Sequence, residues 1–361
     1  MSDKVLMKGN EAFAEAAIRG GCRYYFGYPI TPQNEIPEYM SRELPKIGGA
    51  FIQSESELSA INMAYGAAAA GGRVFISSSS PGIALMQEGL SLLASAEVPT
   101  VLLAVSRCGP GIGGIQPGQA DYLQATRGGG NGDYRVPVFA PSGIQEGVDL
   151  VYESMQLSDE WQNPFFIFTD GILAQMMEPV KLPEMLPEIK REDIKKHKPW
   201  ALTGYGTDDT KRNTVISLRM QPDVLEKHVH KLFEKYARAE KELVKVESFG
   251  LEDAEVVIVA YGIVARIAKE ATEILAEQGI KVGFIRPISL WPFPYDEFDK
   301  ITDKTKVVIS AELSMGQLIE DVKLGVGKRL PVKLINRTGG MILSSLEIAE
   351  RAKTILKEIG G

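Results

Sequence analysis

Up to about residue 170, short apolar runs alternate with stretches in which apolar residues recur at helical spacing. The runs predict strands at Arg23–Tyr28, Ala50–Gln53, Arg73–Ser77, Thr100–Ser106, Val136–Ala140 and Phe165–Thr169. Between them the helical period predicts helices such as Leu58–Ala70 and Gly82–Ala94. Such alternation points to an α/β domain with a mainly parallel sheet flanked by helices. The pattern then breaks. Glu178–Pro199 is rich in proline and charge, which predicts an inter-domain connection. Trp200–Leu218 reads as irregular, and Pro222–Val246 as a helix with proline at its start and charges on several faces. A second alternating block starts at Glu255, with strands in EVVIVAYG, KVGFIRP, KVVISAEL and VKLINR and helices ending at Gln278, near Tyr295, from Gln317 and from Ser344. The expected organisation is a sheet domain over 1–177, a connecting segment over 178–250 and a smaller α/β domain over 251–361.

Composition narrows the function. A chain of 361 residues with 44% hydrophobic and 24% charged positions suits a soluble enzyme of two ordinary domains. A net charge of −7 argues against a nucleic-acid partner, which would call for a basic face. No uninterrupted apolar run approaches the ~18 residues of a membrane span. The first residues lack the apolar core and cleavage site of a secretory signal, so a cytoplasmic location is expected. Cys22 and Cys108 are too few for a disulfide framework or a cluster, and read as small buried hydrophobes.

In open α/β sheets, ligands bind beyond the carboxyl ends of the strands. There the sequence offers Tyr28-Pro29-Ile30-Thr31-Pro32, Ser54-Glu55-Ser56-Glu57, Ser78-Ser79-Ser80-Pro81-Gly82, then Arg107 with a glycine-rich loop, and Asp170-Gly171. A hydroxyl, a carboxylate and a guanidinium at strand ends suit a small anionic substrate beside a cofactor. Each also has a plainer reading. Ser54-x-x-Glu57 fits a helix capping box, Ser80-Pro81 an N-cap, and Thr31 a turn. Arg107 reads equally as a solvated strand end, and His197, His228 and His230 as solvated surface. Gly109–Gly118 and Gly128–Gly130 read as loop and turn, because no G-x-x-x-x-G-K-[ST] arrangement is present. VVIVAYGIVARIA carries one glycine, short of G-x-G-x-x-G, so a dinucleotide site is not expected.

The string YPITP at Tyr28–Pro32 is identical to a signature of 2-oxoacid:ferredoxin oxidoreductases. The resemblance continues through SESELSAINMAYGAAAAG, SSSSPGIALMQEG and SRCGPGIGGIQPGQADYLQATRGGGNGDYR, and resumes in RPISLWPFP, AELSMGQLIEDV and NRTGGMI. It covers nearly the whole chain except the region around residues 180–250. The chain thus resembles the family's alpha subunit. That resemblance implies a pyrimidine-type domain binding thiamine diphosphate, followed by a transketolase-C-terminal-like α/β domain.

On the same resemblance, Glu57 is the catalytic carboxylate that hydrogen-bonds the cofactor's pyrimidine ring and sets its tautomer. The spacing back from Gly66 and Gly71 selects it over Glu55. Thr31 and Arg107 match the residues that hold the substrate carboxylate, while Tyr28, Pro29, Ile30 and Ser80 match the cofactor pocket. Gly111-Ile112 stands where 2-oxoglutarate-type relatives carry a hydroxyl-bearing pair, and Ser79-Ser80-Pro81-Gly82 replaces their Ser-Gly-Pro-Gly. With Tyr24-Tyr25-Phe26-Gly27 and Pro32-Gln33-Asn34-Glu35, these differences make the chain most closely resemble the branch acting on 3-methyl-2-oxobutanoate. Asn131-Gly132-Asp133 does not fit the GDG…N metal motif of the diphosphate half, and no cysteine run can hold a cluster. The resemblance therefore implies a beta subunit with the diphosphate and Mg2+, a gamma subunit, a ferredoxin-like iron–sulfur subunit, coenzyme A as co-substrate and ferredoxin as acceptor. Two alternatives stay open: 2-oxoglutarate as substrate, or a non-catalytic assembly subunit.

Overall fold

The computed structural model describes residues 4–204 and 212–360. The chain opens with β1 (Val5–Lys8), α1 (Gly9–Arg19), β2 (Tyr24–Gly27), α2 (Glu35–Glu43), β3 (Ala50–Gln53) and α3 (Glu57–Ala69). It continues through β4 (Val74–Ser79), α4 (Ser80–Ser95), β5 (Thr100–Ser106), α5 (Tyr122–Arg127) and β6 (Val138–Phe139). Next come α6 (Ile144–Trp161), β7 (Pro164–Asp170), α7 (Gly171–Gln175) and β8 (Met177–Val180). After α8 (Ile194–His197) and α9 (Pro222–Glu242), the second block holds β9 (Val246–Phe249), β10 (Val256–Val259), α10 (Gly262–Glu277), β11 (Val282–Pro287) and β12 (Ser289–Trp291). It closes with β13 (Val307–Glu312), α11 (Leu318–Val326), β14 (Val332–Asn336) and α12 (Ser345–Gly360).

The first sheet has the order β12-β6-β7-β5-β4-β2-β3, parallel from β6 to β3. Every residue of β4, β5 and β7 is buried, as near-continuous apolar runs covered by helices on both faces require. The second sheet runs β14-β13-β10-β11-β9, with β9 antiparallel at its edge. This is the expected α/β architecture, with three local differences. The strand expected at Val136–Ala140 shrinks to Val138–Phe139, since Pro137 has no N–H to give the ladder. β12 leaves its own block and pairs antiparallel with β6 at the edge of the first sheet. β1 and β8 form a separate two-stranded ribbon whose pairing spans most of the first block.

Several described residues between 181 and 243 bond or pack against the first sheet domain, while Val246–Phe249 forms the edge strand of the second sheet. Leu186 N–H bonds Arg19 O at 2.8 Å, Leu202 N–H bonds Ala69 O at 2.8 Å, and buried Lys198 meets Asp159. Helix α9 buries His228, Leu232, Tyr236 and Ala239, one stripe at helical spacing. His228 is therefore not solvated surface: it is 9% exposed, with Nε2 2.7 Å from Ser95 O, and burial pushes its pKa down. His197 and His230 are exposed as expected. Of the irregular stretch 200–218, residues 205–211 lie outside the described residues. Cys22 and Cys108 are both buried, and burial raises the Cys22 thiol to about 12.

Candidate functional site

The chain leaves β2 for β3 on one side and returns to β4 on the other, so the first sheet switches direction across β2. Such a switch point opens a crevice at the carboxyl ends of the flanking strands. The loops that reach it are Tyr28–Pro32, Ser54–Ser56 and Ser78–Ser80. The first is held down firmly. Ser77 Oγ donates to Gln33 Oε1 at 2.6 Å, Gln33 Nε2 donates to Tyr28 O, and Asn10 and Gln175 both donate to Pro32 O at 2.9 Å.

Glu57 is the first residue of α3 and only 4% exposed. The expected capping box does not form. Ser56 caps the helix by accepting from Ser59 N–H, while Ser54 Oγ donates to Ser56 O. A capping-box glutamate sits at the third helical position, so Glu57 is misplaced for that role. Its carboxylate turns instead toward β4, where Ser78 Oγ donates to Oε1 at 3.3 Å. Space for it comes from Gly82, where a Cβ would stand 2.2 Å from Glu57 Oε1 and 2.1 Å from Ser78 Oγ. A buried carboxylate with one long hydrogen bond from its own chain is costly unless a further donor arrives. The ring N–H that an aminopyrimidine carries in its imino or protonated form is such a donor, so the residues present fit that group.

A second cluster joins β2, β4 and β5. Arg107 is 7% exposed and not a solvated strand end. Its Nη1 donates to Thr31 O at 3.0 Å and its Nη2 to Ile112 O at 2.9 Å, while Nε is buried without a partner. The fork thus staples the glycine-rich loop to the Tyr28–Pro32 segment. Ser80 is the first residue of α4 with Ser79 at the cap position, so it does not act as the N-cap. Its hydroxyl accepts from Arg107 N–H at 2.9 Å and lies against Asp121, which also accepts from Ser106 Oγ at 2.7 Å. Burial raises the Asp121 carboxyl, with the two hydroxyls and Arg107 opposing.

Thr31, Arg107 and Ser80 are therefore linked in one chain of contacts, and Glu57 sits with Ser78 and Gly82 on the neighbouring side of β4. Among the described residues no hydrogen bond joins the two clusters through Glu57. Tyr28 and Pro29 are exposed at the mouth, with Ile30 and Thr31 half-buried. Sequence reasoning missed Asp121 and the role of Gly82. The signal for Gly82 was a glycine in the first turn of a helix, where it costs about 1 kcal/mol against alanine unless something needs the space.

Beside Thr31 lies an open cavity of about 520 Å³ with Ile115, Pro117, Ile172 and Ile342 on its walls. Its one charged lining residue is Glu35; none is a cation. The second sheet has its own switch point, at the ends of β10 and β13, but Gln119 fills it. Gln119 Nε2 donates to Tyr261 O at 3.1 Å, and its Oε1 accepts from Leu313 N–H at 2.9 Å. The amino end of α10 is occupied by Asp170, which accepts from Ile263 N–H as well as from Ile172 and Leu173. A carboxylate already stands where a dinucleotide's phosphate would lie.

A family described as pyruvate flavodoxin/ferredoxin oxidoreductase, thiamine diphosphate-binding, matches residues 15–248. The chain belongs to this family. The pyruvate:ferredoxin oxidoreductase core domain II matches residues 254–348. Among curated relatives in the family, a ketoisovalerate oxidoreductase subunit VorB of Methanothermobacter thermautotrophicus is 45% identical, covering 97% of each chain. A 2-oxoglutarate synthase subunit KorA of Methanocaldococcus jannaschii is 36% identical, over 96% of this chain and 98% of the other. The 2-oxoglutarate:ferredoxin oxidoreductase of Magnetococcus marinus, solved with 2-oxoglutarate, coenzyme A and succinyl-CoA, superposes with a TM-score of 0.86 at 26% identity. That match covers 98% of this chain, which spans 66% of the longer one. A split-gene transketolase, at 16% identity and a TM-score of 0.58, shares the fold.

Proposed function

We propose that this chain supplies the aminopyrimidine half of a thiamine diphosphate site in a 2-oxoacid:ferredoxin oxidoreductase complex acting on a branched aliphatic 2-oxoacid such as 3-methyl-2-oxobutanoate. The observation that carries the reading is the Glu57 carboxylate, buried at a switch point with room kept by Gly82 and, among the described residues, one long hydrogen bond from Ser78 Oγ. Glu57 accepts the ring N–H and holds the heterocycle in the tautomer that can take a proton. The cofactor, when bound, supplies the electron sink for breaking the bond between carboxylate and oxo carbon. Tyr28, Pro29, Ile30 and Ser80 line that pocket. Thr31 and Arg107 orient the departing carboxylate; with Nη1 and Nη2 bonded to Thr31 O and Ile112 O, the guanidinium offers its charge and its unpartnered Nε–H. The acyl group leaves on coenzyme A, carbon dioxide is released, and ferredoxin is reduced.

Among the described residues no group of three or more His, Cys, Asp or Glu is placed to hold a metal ion. In this reading Mg2+ and the diphosphate belong to a beta subunit, and iron–sulfur clusters to partners that include a gamma and a ferredoxin-like subunit, all in the cytoplasm. Exposed Tyr28, Ile52, Leu58 and Leu85 around the Glu57 crevice support a partner covering it. No described helix is long and apolar enough to cross a membrane.

The substrate choice rests first on the 45% identity to the ketoisovalerate oxidoreductase subunit. The cavity beside Thr31 supports it: Ile115, Pro117, Ile172 and Ile342 share its walls with Asn34, Gln116 and Gln175, and a distal carboxylate placed there would find no cation and meet Glu35. The test is Glu57→Gln in the reconstituted complex with a panel of 2-oxoacids and a dye acceptor. Expected are assembly at the wild-type level, loss of most turnover, and wild-type preference for 3-methyl-2-oxobutanoate over 2-oxoglutarate. Full turnover by the variant would remove Glu57 from the chemistry.

A further inference from the structure

The 178–250 region carries a feature that the half-site does not use. Residues 212–221 run as a non-helical strap, bent at Ser217, in which exposure alternates residue by residue over 212–220. Ile216, Leu218 and Met220 point outward at 51%, 66% and 77% exposed, while Val215, Ser217 and Arg219 are half-buried. Period-two alternation is what an extended segment laid on a surface gives, so the outward apolar row is set by the backbone. The backbone is fastened along its length. Asn213 Nδ2 donates to Ala201 O at 2.9 Å, Tyr65 of α3 donates to Val215 O at 3.3 Å, and Val215 packs on the core. Beyond Pro222, His228 pins α9 to the end of α4 through Ser95 O. Farther along, α9 presents Glu226, Lys227, His230 and Glu234 to solvent with Phe233 among them, so exposed apolar residues are densest on the strap and the adjoining Val224 and Leu225.

The strap crosses the far end of the helix that begins at Glu57, with Asn213 bonded to Ala201 next to Leu202, whose N–H bonds Ala69 O at the last residue of α3. α3 begins at Glu57, carries exposed Leu58 and Met63, and meets the strap at Tyr65. A polypeptide that completes the cofactor site must cover the Glu57 end of α3 and α4. Two neighbouring helices about 20 Å long and about 10 Å apart offer a footprint of roughly 400 Å². Stable partners bury about 800 Å² each. The helix face alone falls short by about half, and the strap extends that face beyond Leu58 and Met63 at the end of α3 away from Glu57.

We propose that the strap at 212–221 is a docking arm for the same polypeptide that supplies the diphosphate half of the site, so that one apolar surface along α3 serves both cofactor closure and assembly. This rests on the half-site reading above. The test uses the full chain and the separately purified partner that copurifies with it, comparing the double variant Ile216→Asp/Leu218→Asp with Leu58→Asp beside Glu57. Both are expected to weaken assembly at least tenfold, with the melting temperature of the isolated chain unchanged. Wild-type affinity in the strap variant together with failure of Leu58→Asp would overturn the arm and leave the half-site standing. If the strap variant lost only self-association of the chain, a second copy would be the occupant and the inference would fall. Normal assembly and cofactor loading in Leu58→Asp would count against the half-site itself.

Discussion

Replacing Gly82 by alanine should leave the chain folded and disable the site. The added methyl would stand 2.2 Å from Glu57 Oε1, 2.6 Å from its Cδ and 2.1 Å from Ser78 Oγ, all closer than real Cβ contacts. Every atom in the way belongs to a side-chain end, so relief comes from turning Glu57 and Ser78 rather than from moving backbone. Overpacking of this kind costs about 1 kcal/mol, near the low end of the usual range. The carboxylate must retreat by about 1 Å, and a misplacement of that size at a reacting centre costs on the order of 100-fold in rate. The assay is 2-oxoacid-dependent dye reduction by the assembled complex, read beside its melting temperature and its affinity for thiamine diphosphate. The double variant Gly82→Ala/Glu57→Gln should be no slower than Glu57→Gln alone, because both act through one group. Wild-type turnover in Gly82→Ala would refute the reasoning, since the carboxylate could then move without consequence.

Three further outcomes are expected. Ile115→Lys places a cation on the wall of the cavity beside Thr31 and should shift preference toward 2-oxoglutarate by tenfold or more in kcat/KM; an unchanged ratio would exclude that wall from the substrate. Burial raises the Asp170 carboxyl to about 6 despite three backbone N–H groups bonding it. A raised folded-state value contributes stability that is present below the unfolded value near 3.8 and is lost as pH rises through about 6, on the order of 3 kcal/mol. Asp170→Asn should therefore gain on the wild type between pH 4 and 7 in parallel denaturant titrations, and a constant difference would contradict this. Asp321 is fully buried, accepting from Tyr122 at 2.6 Å, from Arg127 and from Tyr295; because Arg127 is 38% exposed, Asp321→Asn should lower stability by about 1–2 kcal/mol in a thermal melt.

The parts of this protein legible in the sequence are those written in local pattern. Ala50–Gln53 and Thr100–Ser106 were delimited to the residue by their apolar runs alone. Glu57 was singled out by the family resemblance, whose spacing back from Gly66 and Gly71 it fits, and it is the first residue of α3. What stayed hidden depends on contacts between distant residues. Arg107 reads as an exposed strand end until Thr31 O and Ile112 O come within reach of its fork. His228 reads as one charge among many until Leu232, Tyr236 and Ala239 line up with it against the first domain. Gln119 gave no sign of closing the second crevice, because its partners Tyr261 and Leu313 lie in the other block.

The pairing of β12 with β6 bears on how such a chain can be made and divided. During synthesis β6 presents a bare edge until more than a hundred further residues have been added, and bare edges recruit other chains. A gene cut between the two blocks would yield an amino-terminal product that keeps every loop of the crevice yet carries a permanent invitation to aggregate. Production of such a fragment would need Ser289–Trp291 supplied in trans, or a charge planted on the outer margin of β6.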